Sequence, residues 1–263
     1  MGTLQRRLDD LKHAGRRSQR AHRTSPAPSA RELPDVMGGR RAICQGKGYW
    51  ELIVPFSRIC ESSLPDGAFG TSLQCEGRPN ERLLVDPAST LVLDIETGGF
   101  SGTPVFLIGV VALDRRPLCV EQWLARDYPE EEAILHRLAQ RAGTRSTWVT
   151  FNGKAFDAPF VLDRARLYRI AMQPPRTHVD LLHAARRCWR GALPDYRLET
   201  LEQHVLGRTR AGDVPGSDVP DLFHHFIRTG NAAPLRSVLE HNQLDLVSST
   251  ELLLRIALPD ASG

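Results

Sequence analysis

The sequence predicts an α/β protein built on a mixed sheet, and two observations carry that prediction. Residues 91–125 hold three successive strand-like runs, LVLDIE, VFLIGVVAL and CVEQWLA, with Asp114, Arg115, Arg116 and Pro117 as the turn between the last two. That spacing reads as an antiparallel meander. Beyond it, helical periodicity alternates with one more short strand and then takes over towards the C-terminal end.

The elements follow in chain order. Leu4, Leu8 and Leu11 stand at helical spacing and are followed by SQRAHRTSPAPSA, whose Ser, Pro and Ala content reads as linker. Residues 1–33 are thus expected to be a basic, flexible arm. Residues 34–89 carry Gly, Pro and short runs such as YWELIVPF and ERLLV, the pattern of a small β-rich lead-in. Tyr49 and Trp50 could stack bases, but in a strand-like run they read as core. After the meander, EEEAILHRLAQRAG has acids in its first turn and Gly143 after its end, as a helix should. TWVTF is a short buried strand, FDAPFVLDRARLYRIA returns to helical periodicity, and the stretch from HVDLLHAARRCW to HNQLDLVSSTELLLRIA is predominantly helical. In HVDLL, Asp180 is expected near a helix cap.

Composition narrows the function classes. A chain of 263 residues that is 41% hydrophobic can bury a substantial core. No apolar run approaches the ~18 residues that span a bilayer, and the start of the chain has no apolar leader segment, so no membrane association and a cytoplasmic location are expected. Cys44, Cys60, Cys75, Cys119 and Cys188 are odd in number and never spaced as CxxC, which predicts reduced thiols rather than a disulfide framework or a zinc knuckle. The formal charge of +3 is unevenly spread: residues 1–41 hold 10 Lys and Arg against 4 Asp and Glu, and the remainder 24 against 27. The basic character belongs to the arm, where it could meet phosphates or simply solvent.

The chemistry lies in the carboxylates. Residues i and i+2 of a strand share a face, so Asp94 and Glu96 of LVLDIET stand ~6–7 Å apart and repel each other. Water at a strand end, protonation or a cation could relieve that, and a hard divalent ion takes oxygen ligands. In WVTFNGKAFDAPFV a strand ends at Phe151, Asn152 and Gly153 make a turn, and Asp157 falls in or near the first turn of a helix. Asn-Gly is also an ordinary turn and Asp an ordinary first-turn residue. In VLEHNQLDLVSSTELL, His241 and Asp245 stand four apart on one helical face, beside a stripe of Leu235, Leu239, Leu246 and Leu253. Such a pair alone could be a surface contact. Taken together, Asp94, Glu96, Asp157 and Asp245 can converge at one edge of the sheet. Four acids with two metals ~3.5–4 Å apart are equipment for phosphoryl hydrolysis, one ion activating water and the other stabilising the departing 3′-oxygen. His241 is near enough to accept the water's proton.

LDIET, FNGKAFD and HNQLD together resemble the motifs of the DEDD exonuclease superfamily. HVDLLHAARRCW, LETLEQHVLG, DVPGSDVPDLFHHFIRTGN and VLEHNQLDLVS narrow the resemblance to its YprB-type RNase H-like domain, over roughly residues 90–257. The resemblance implies an RNase H-like domain over residues 90–258: a three-strand antiparallel meander plus parallel strands, flanked by helices. It further implies a 3′-to-5′ exonuclease acting on single-stranded DNA or RNA ends, with two divalent cations, Mg²⁺ or Mn²⁺, held by Asp94, Glu96, Asp157 and Asp245. Thr97 then corresponds to the position beside the 3′-terminal nucleotide, and Asn152 to the polar residue ahead of the third acid. A structure-selective endonuclease and a nucleic-acid-binding module with weak or lost catalysis are the alternatives on the same fold. Haloacid-type phosphatases need Asp-x-Asp-x-Thr, which this strand lacks. The family often has a further C-terminal helical-repeat region, which does not follow the last motif here, so no protein partner is predicted.

One departure stands out. Superfamily members mostly carry His-x4-Asp or Tyr-x3-Asp at the last motif, whereas HNQLD places histidine at the tyrosine spacing. One residue turns a helical side chain by ~100°. Three roles are open to His241: base, water positioner, or partner of Asp245.

Overall fold

The computed structural model describes residues 37–59, 73–76, 82–99, 102–210 and 212–257, together with Leu33. The expected arm, its Leu4, Leu8 and Leu11 helix, the linker and Cys60 lie outside the described residues. Among the described residues nine strands form in chain order: β1 (Arg40–Cys44), β2 (Lys47–Pro55), β3 (Leu73–Glu76), β4 (Arg82–Val85), β5 (Thr90–Thr97), β6 (Val105–Ala112), β7 (Cys119–Leu124), β8 (Thr147–Thr150) and β9 (Thr177–Asp180). The helices are α1 (Phe56–Ile59), α2 (Glu131–Ala142), α3 (Asp157–Leu167), α4 (Leu181–Cys188), α5 (Leu198–Leu201), α6 (Val219–Thr229) and α7 (Leu235–Ala257).

Seven strands make one mixed sheet in the order β1-β2-β7-β6-β5-β8-β9. The expected meander is its centre: β5 pairs antiparallel with β6 from Leu91↔Ala112, and β6 pairs antiparallel with β7. Every residue of β6 is buried, which follows from a central strand with packing on both faces. β8 lies parallel to β5, and β9 parallel to β8. The mixed sheet flanked by helices is the fold class that the strand and helix pattern predicts. β1 and β2, from the region expected as a β-rich lead-in, join the same sheet through β2 and β7, with Tyr49 and Trp50 buried in the core. β3 and β4 form a separate hairpin, and β3 lies against α7.

The helix cap expected at Asp180 forms, but residues 177–180 are not themselves helical. They form the edge strand β9, and Asp180 is the N-cap of α4, accepting from the Leu182 N–H at 3.1 Å. THVD has no apolar run to announce a strand; its pairing with β8 supplies the order that the local sequence does not.

Two apolar clusters flank the sheet. Leu91, Leu93 and Ile95 of β5 pack with Ile134, Leu135 and Leu138 of α2, Val161 of α3 and Phe223 of α6. Val92 joins Leu181 of α4, Leu201 of α5 and Leu246, Val247, Leu252 and Leu253 of α7. Helix α7 reaches both clusters, because Leu235, Val238 and Leu239 of its first half belong to the former. The expected leucine stripe is therefore wholly buried. Cys44, Cys119 and Cys188 form no disulfide. Among the described residues no helix is long and apolar enough to cross a membrane.

Helix α7 approaches the sheet closely at Gly109 of β6. A Cβ there would meet Asn242 Oδ1 at 2.2 Å and Leu246 Cδ1 at 2.5 Å. Both contacts come from a packed helix, so neither atom can retreat cheaply. Gly109→Ala is expected to destabilise the fold by about 1–3 kcal/mol in urea unfolding, and a midpoint equal to wild type would show that α7 can lift off the sheet.

Candidate active site

Strand β5 pairs with β8 only from Thr90 to Val92, while its pairing with β6 continues to Thr97. Past Val92 its β8 side is therefore open at the carboxyl end of the parallel strands, the place where α/β sheets leave a crevice. Asp94 and Glu96 sit there, partly exposed, with Ile95 between them buried in the first cluster. A register shift between Glu96 and Thr97 ends the strand. Bulges of this kind re-aim side chains and close off pairing.

Helix α3 begins at Asp157, which is 5% exposed, and its Oδ1 accepts the Ile95 N–H at 3.2 Å. The third acid thus satisfies a strand amide that β8 no longer reaches. The loop before it is held by Asp180, whose two carboxylate oxygens accept the N–H groups of Asn152 (3.0 Å) and Lys154 (3.1 Å). Asn152 has φ 61°, the left-handed conformation that Asn tolerates. Gly153 is required for a different reason: a Cβ would stand 2.5 Å from Thr150 Oγ1 and 2.8 Å from Asp157 Oδ2.

Helix α7 brings the fourth acid. Asn242, fully buried, donates from Nδ2 to Asp94 Oδ2 at 2.7 Å. Its Oδ1 accepts from Gln122 Nε2 at 2.7 Å, and Gln122 Oε1 accepts from Gln243 Nε2 at 2.7 Å. This buried amide chain ties β5, β7 and α7 together under the acids. Asp245 follows on the same helix. The Nε2 of His241 lies 3.7 Å from Asp245 Oδ2, and its Nδ1 lies 2.9 Å from Asp213 Oδ1. Asp245 Oδ1 and Asp213 Oδ2 both accept from the guanidinium of Arg210.

The electrostatics follow from this crowding. Burial first, then the charges of Asp245, Asp157 and Glu96, push the Asp94 carboxyl well above the usual carboxylate range, against the Asn242 hydrogen bond. Glu96 is raised well above its ordinary value by burial and by Asp245, Asp157 and Asp213. Burial raises Asp157 to about 7 despite hydrogen bonds from its own N–H and that of Ile95, with Asp180 and Asp245 adding to the rise. Burial raises Asp245 too, although Arg210 and His241 oppose it. Asp213 goes the other way: burial is outweighed by the hydrogen bonds of Arg210 and His241, and its carboxyl is lowered. Among the described residues no group of three or more His, Cys, Asp or Glu side chains stands close enough to hold a metal ion as it is.

The structure therefore gathers Asp94, Glu96, Asp157, Asp245 and His241, with Thr97 at the strand end. The Thr97 hydroxyl lies 3.3 Å from the Gly99 carbonyl oxygen, and Gly98 donates to Pro104 O at 2.9 Å. His224 holds this turn from α6, with Nε2 3.2 Å from Gly98 O and Nδ1 3.1 Å from Tyr128 Oη. Sequence reasoning missed Asn242, Gln122, Asp213, Arg210 and the loop-holding role of Asp180. Asn242 was in view as the second residue of HNQLD; Arg210 and Asp213 lie in a loop without periodicity.

The pH dependence of the metal-free protein has a defined sign. An acid whose folded pKa exceeds its unfolded value destabilises the fold once pH passes the unfolded value, because only the unfolded chain then ionises freely. For Asp157 the loss accumulates between 3.8 and about 7. Asp157→Asn keeps an oxygen for the Ile95 N–H and removes the charge. Under chelator it is expected to melt above wild type at about pH 8, with the difference closing towards pH 4. Equal melting temperatures throughout would remove the cost of ionising the buried Asp157 from the account.

Comparison with known proteins places this geometry in a family. The model of the RNase_H superfamily matches residues 91–257. The uncharacterized protein YprB of Bacillus subtilis (strain 168) is 36% identical over 169 residues, which cover 62% of this chain and 41% of that protein. The chain thus matches about two-fifths of its relative's length. Among solved structures, the family B DNA polymerase of the hyperthermophilic archaeon Pyrobaculum calidifontis aligns with a TM-score of 0.50 at 14% identity, over 80% of this chain and 31% of the polymerase, which is a likeness of fold. The chain belongs to the RNase_H superfamily, with a YprB-type RNase H-like domain.

Proposed function

We propose that the chain is a metal-dependent nuclease that shortens single-stranded DNA or RNA from the 3′ end. The observation that carries this reading is the convergence of Asp94, Glu96, Asp157 and Asp245 at the open carboxyl end of β5. Membership of the RNase_H superfamily supports a nuclease acting on nucleic acid. The 3′ polarity rests on the resemblance of LDIET, FNGKAFD and HNQLD to DEDD exonucleases.

The donors fit hard divalent ions, since all four are carboxylates raised by burial, Asp94, Glu96 and Asp157 by neighbouring acids as well, and so gain from a cation. Gly153 lets the backbone pass close to Thr150 and Asp157, where a Cβ would clash. Mg²⁺ or Mn²⁺ held there by the four acids would supply Lewis acidity for the attacking water and the departing 3′-oxygen.

The protein's own groups supply the proton chemistry and positioning. A carboxylate 2.9 Å from His241 Nδ1 fixes the proton on that nitrogen and leaves the Nε2 lone pair turned towards Asp245. That nitrogen is the general base of this reading, and Asp213 is its positioning residue. When His241 takes a proton, Asp213 and Asp245 flank the imidazolium. Thr97 and Asn152 are assigned to the 3′-terminal nucleotide, on the firmly tied turn after β5 and on the loop held by Asp180.

The test is incubation with 3′- and 5′-labelled DNA and RNA oligomers in Mg²⁺, Mn²⁺ or chelator. Stepwise shortening from the 3′ end is expected with metal and none with chelator. Asp94→Asn should lower the rate by at least about 10³-fold while the protein stays folded, and His241→Ala by about 10²–10⁴-fold. Internal cuts would replace the exonuclease reading with an endonuclease, and no metal-dependent cleavage of any oligomer would end it.

A further inference from the structure

Arg210 is the one group at the acidic centre whose charge is opposite and permanent among those described there. Its side chain is 9% exposed and it is gripped from three sides. Nε donates to Glu202 Oε2 at 2.6 Å and Nη2 to Glu202 Oε1 at 2.7 Å, a fork that matches the carboxylate plane. Nη1 donates to Asp213 Oδ2 at 2.7 Å, and Nη2 also reaches Asp245 Oδ1. Burial alone would lower the guanidinium pKa, but Glu202, Asp245 and Asp213 raise it overall, so it stays charged at every working pH.

The anchor is built separately from the acids. Glu202 opens the π-helical turn Glu202–Leu206, is 2% exposed, and also accepts from the Ser248 hydroxyl of α7. Gly207 then ends the turn in the left-handed conformation, φ 68°, and directs the chain back towards the site. π-Helical turns occur often where a side chain must be placed for function. Arg210 would therefore remain on Glu202 even if Asp245 let go.

We propose that Arg210 is a positioning residue that acts as a built-in cation on Asp245, holding that carboxylate while the site is metal-free and competing with a divalent ion for it. The inference rests on the metal-dependent reading above. Two cations on one carboxylate oxygen repel each other, so an ion using Asp245 Oδ1 must displace the Arg210 contact, whereas one held by Asp94, Glu96 and Asp157 need not. The site is thereby unequal: one ion binds readily, and the Asp245-dependent ion binds more weakly.

The test is Mn²⁺ titration of the full chain, with free Mn²⁺ followed by its electron paramagnetic resonance signal. Wild type should show a tighter and a weaker class of site. Arg210→Gln should strengthen the weaker class by about tenfold or more, while lowering the metal-free melting temperature. A purely structural arginine would lower the melting temperature and leave Mn²⁺ affinity unchanged or weakened, which overturns the proposal. Should Arg210→Gln not fold, the nitrogen-15 signals of the Arg210 guanidinium in wild type, assigned with Arg210→Lys, carry the test. They should shift on Mg²⁺ addition as the Asp245 contact opens, and unchanged signals at Mg²⁺ saturation overturn it. Mn²⁺ bound equally by wild type and Arg210→Gln sinks the role of Arg210 alone. No Mn²⁺ bound by either sinks the metal reading with it.

Discussion

Mutual repulsion among carboxylates drawn partly out of bulk water at the end of β5 is the constraint around which this molecule is arranged. Burial penalises ionisation of Asp94, Glu96, Asp157 and Asp245, and neighbouring acids add to it at the first three, whereas Arg210 and His241 oppose it at Asp245. Such a group cannot persist unless other parts of the fold hold it. Asn242 donates to Asp94, the Ile95 amide to Asp157, and Arg210 to Asp245. Each partner comes from a different element, so the site and the tertiary structure depend on each other. The same repulsion makes a multivalent cation the most favourable occupant in chemical terms.

The sheet creates the opening and the helices fill in its walls. Because β8 leaves β5 after Val92, the strand amide at Ile95 and the face bearing Asp94 and Glu96 are free for other partners. The chain Gln243–Gln122–Asn242–Asp94 is paired at each link and buried at Gln122 and Asn242, which gives α7 one register on the sheet. Gly109 enforces the same register by leaving no room for a Cβ. On the other side, Glu131 accepts from Val105 N–H at 2.8 Å and Tyr168 Oη at 2.8 Å, and pairs with Arg164, whose Nη1 donates to Gly102 O at 3.1 Å. That node joins α2 and α3 to the chain leading from β5 into β6, next to Thr97.

The parts legible in the sequence were those with strong local patterns. LVLDIET and VFLIGVVAL announce buried strands, and the leucine spacing of α7 announces a packed helix. Asp157 could be placed because a strand, a turn and a helix succeed one another within a few residues. β9 was not legible, since THVD owes its strand conformation to β8 rather than to its own composition. Arg210 and Asp213 were invisible for a related reason: their meaning lies in pairing with Glu202, His241 and Asp245 across the fold. The unusual His-x3-Asp spacing gains a physical account from the same loop. His241 lies between Asp213 and Asp245, so a carboxylate outside the motif orients the ring.

The most direct measurement is anomalous diffraction from crystals of the full chain grown with Mn²⁺. The account predicts anomalous density among Asp94, Glu96, Asp157 and Asp245, with His241 still on Asp213. Crystals saturated with Mn²⁺ that show no density at these carboxylates, with Arg210 unmoved on Asp245, would contradict it.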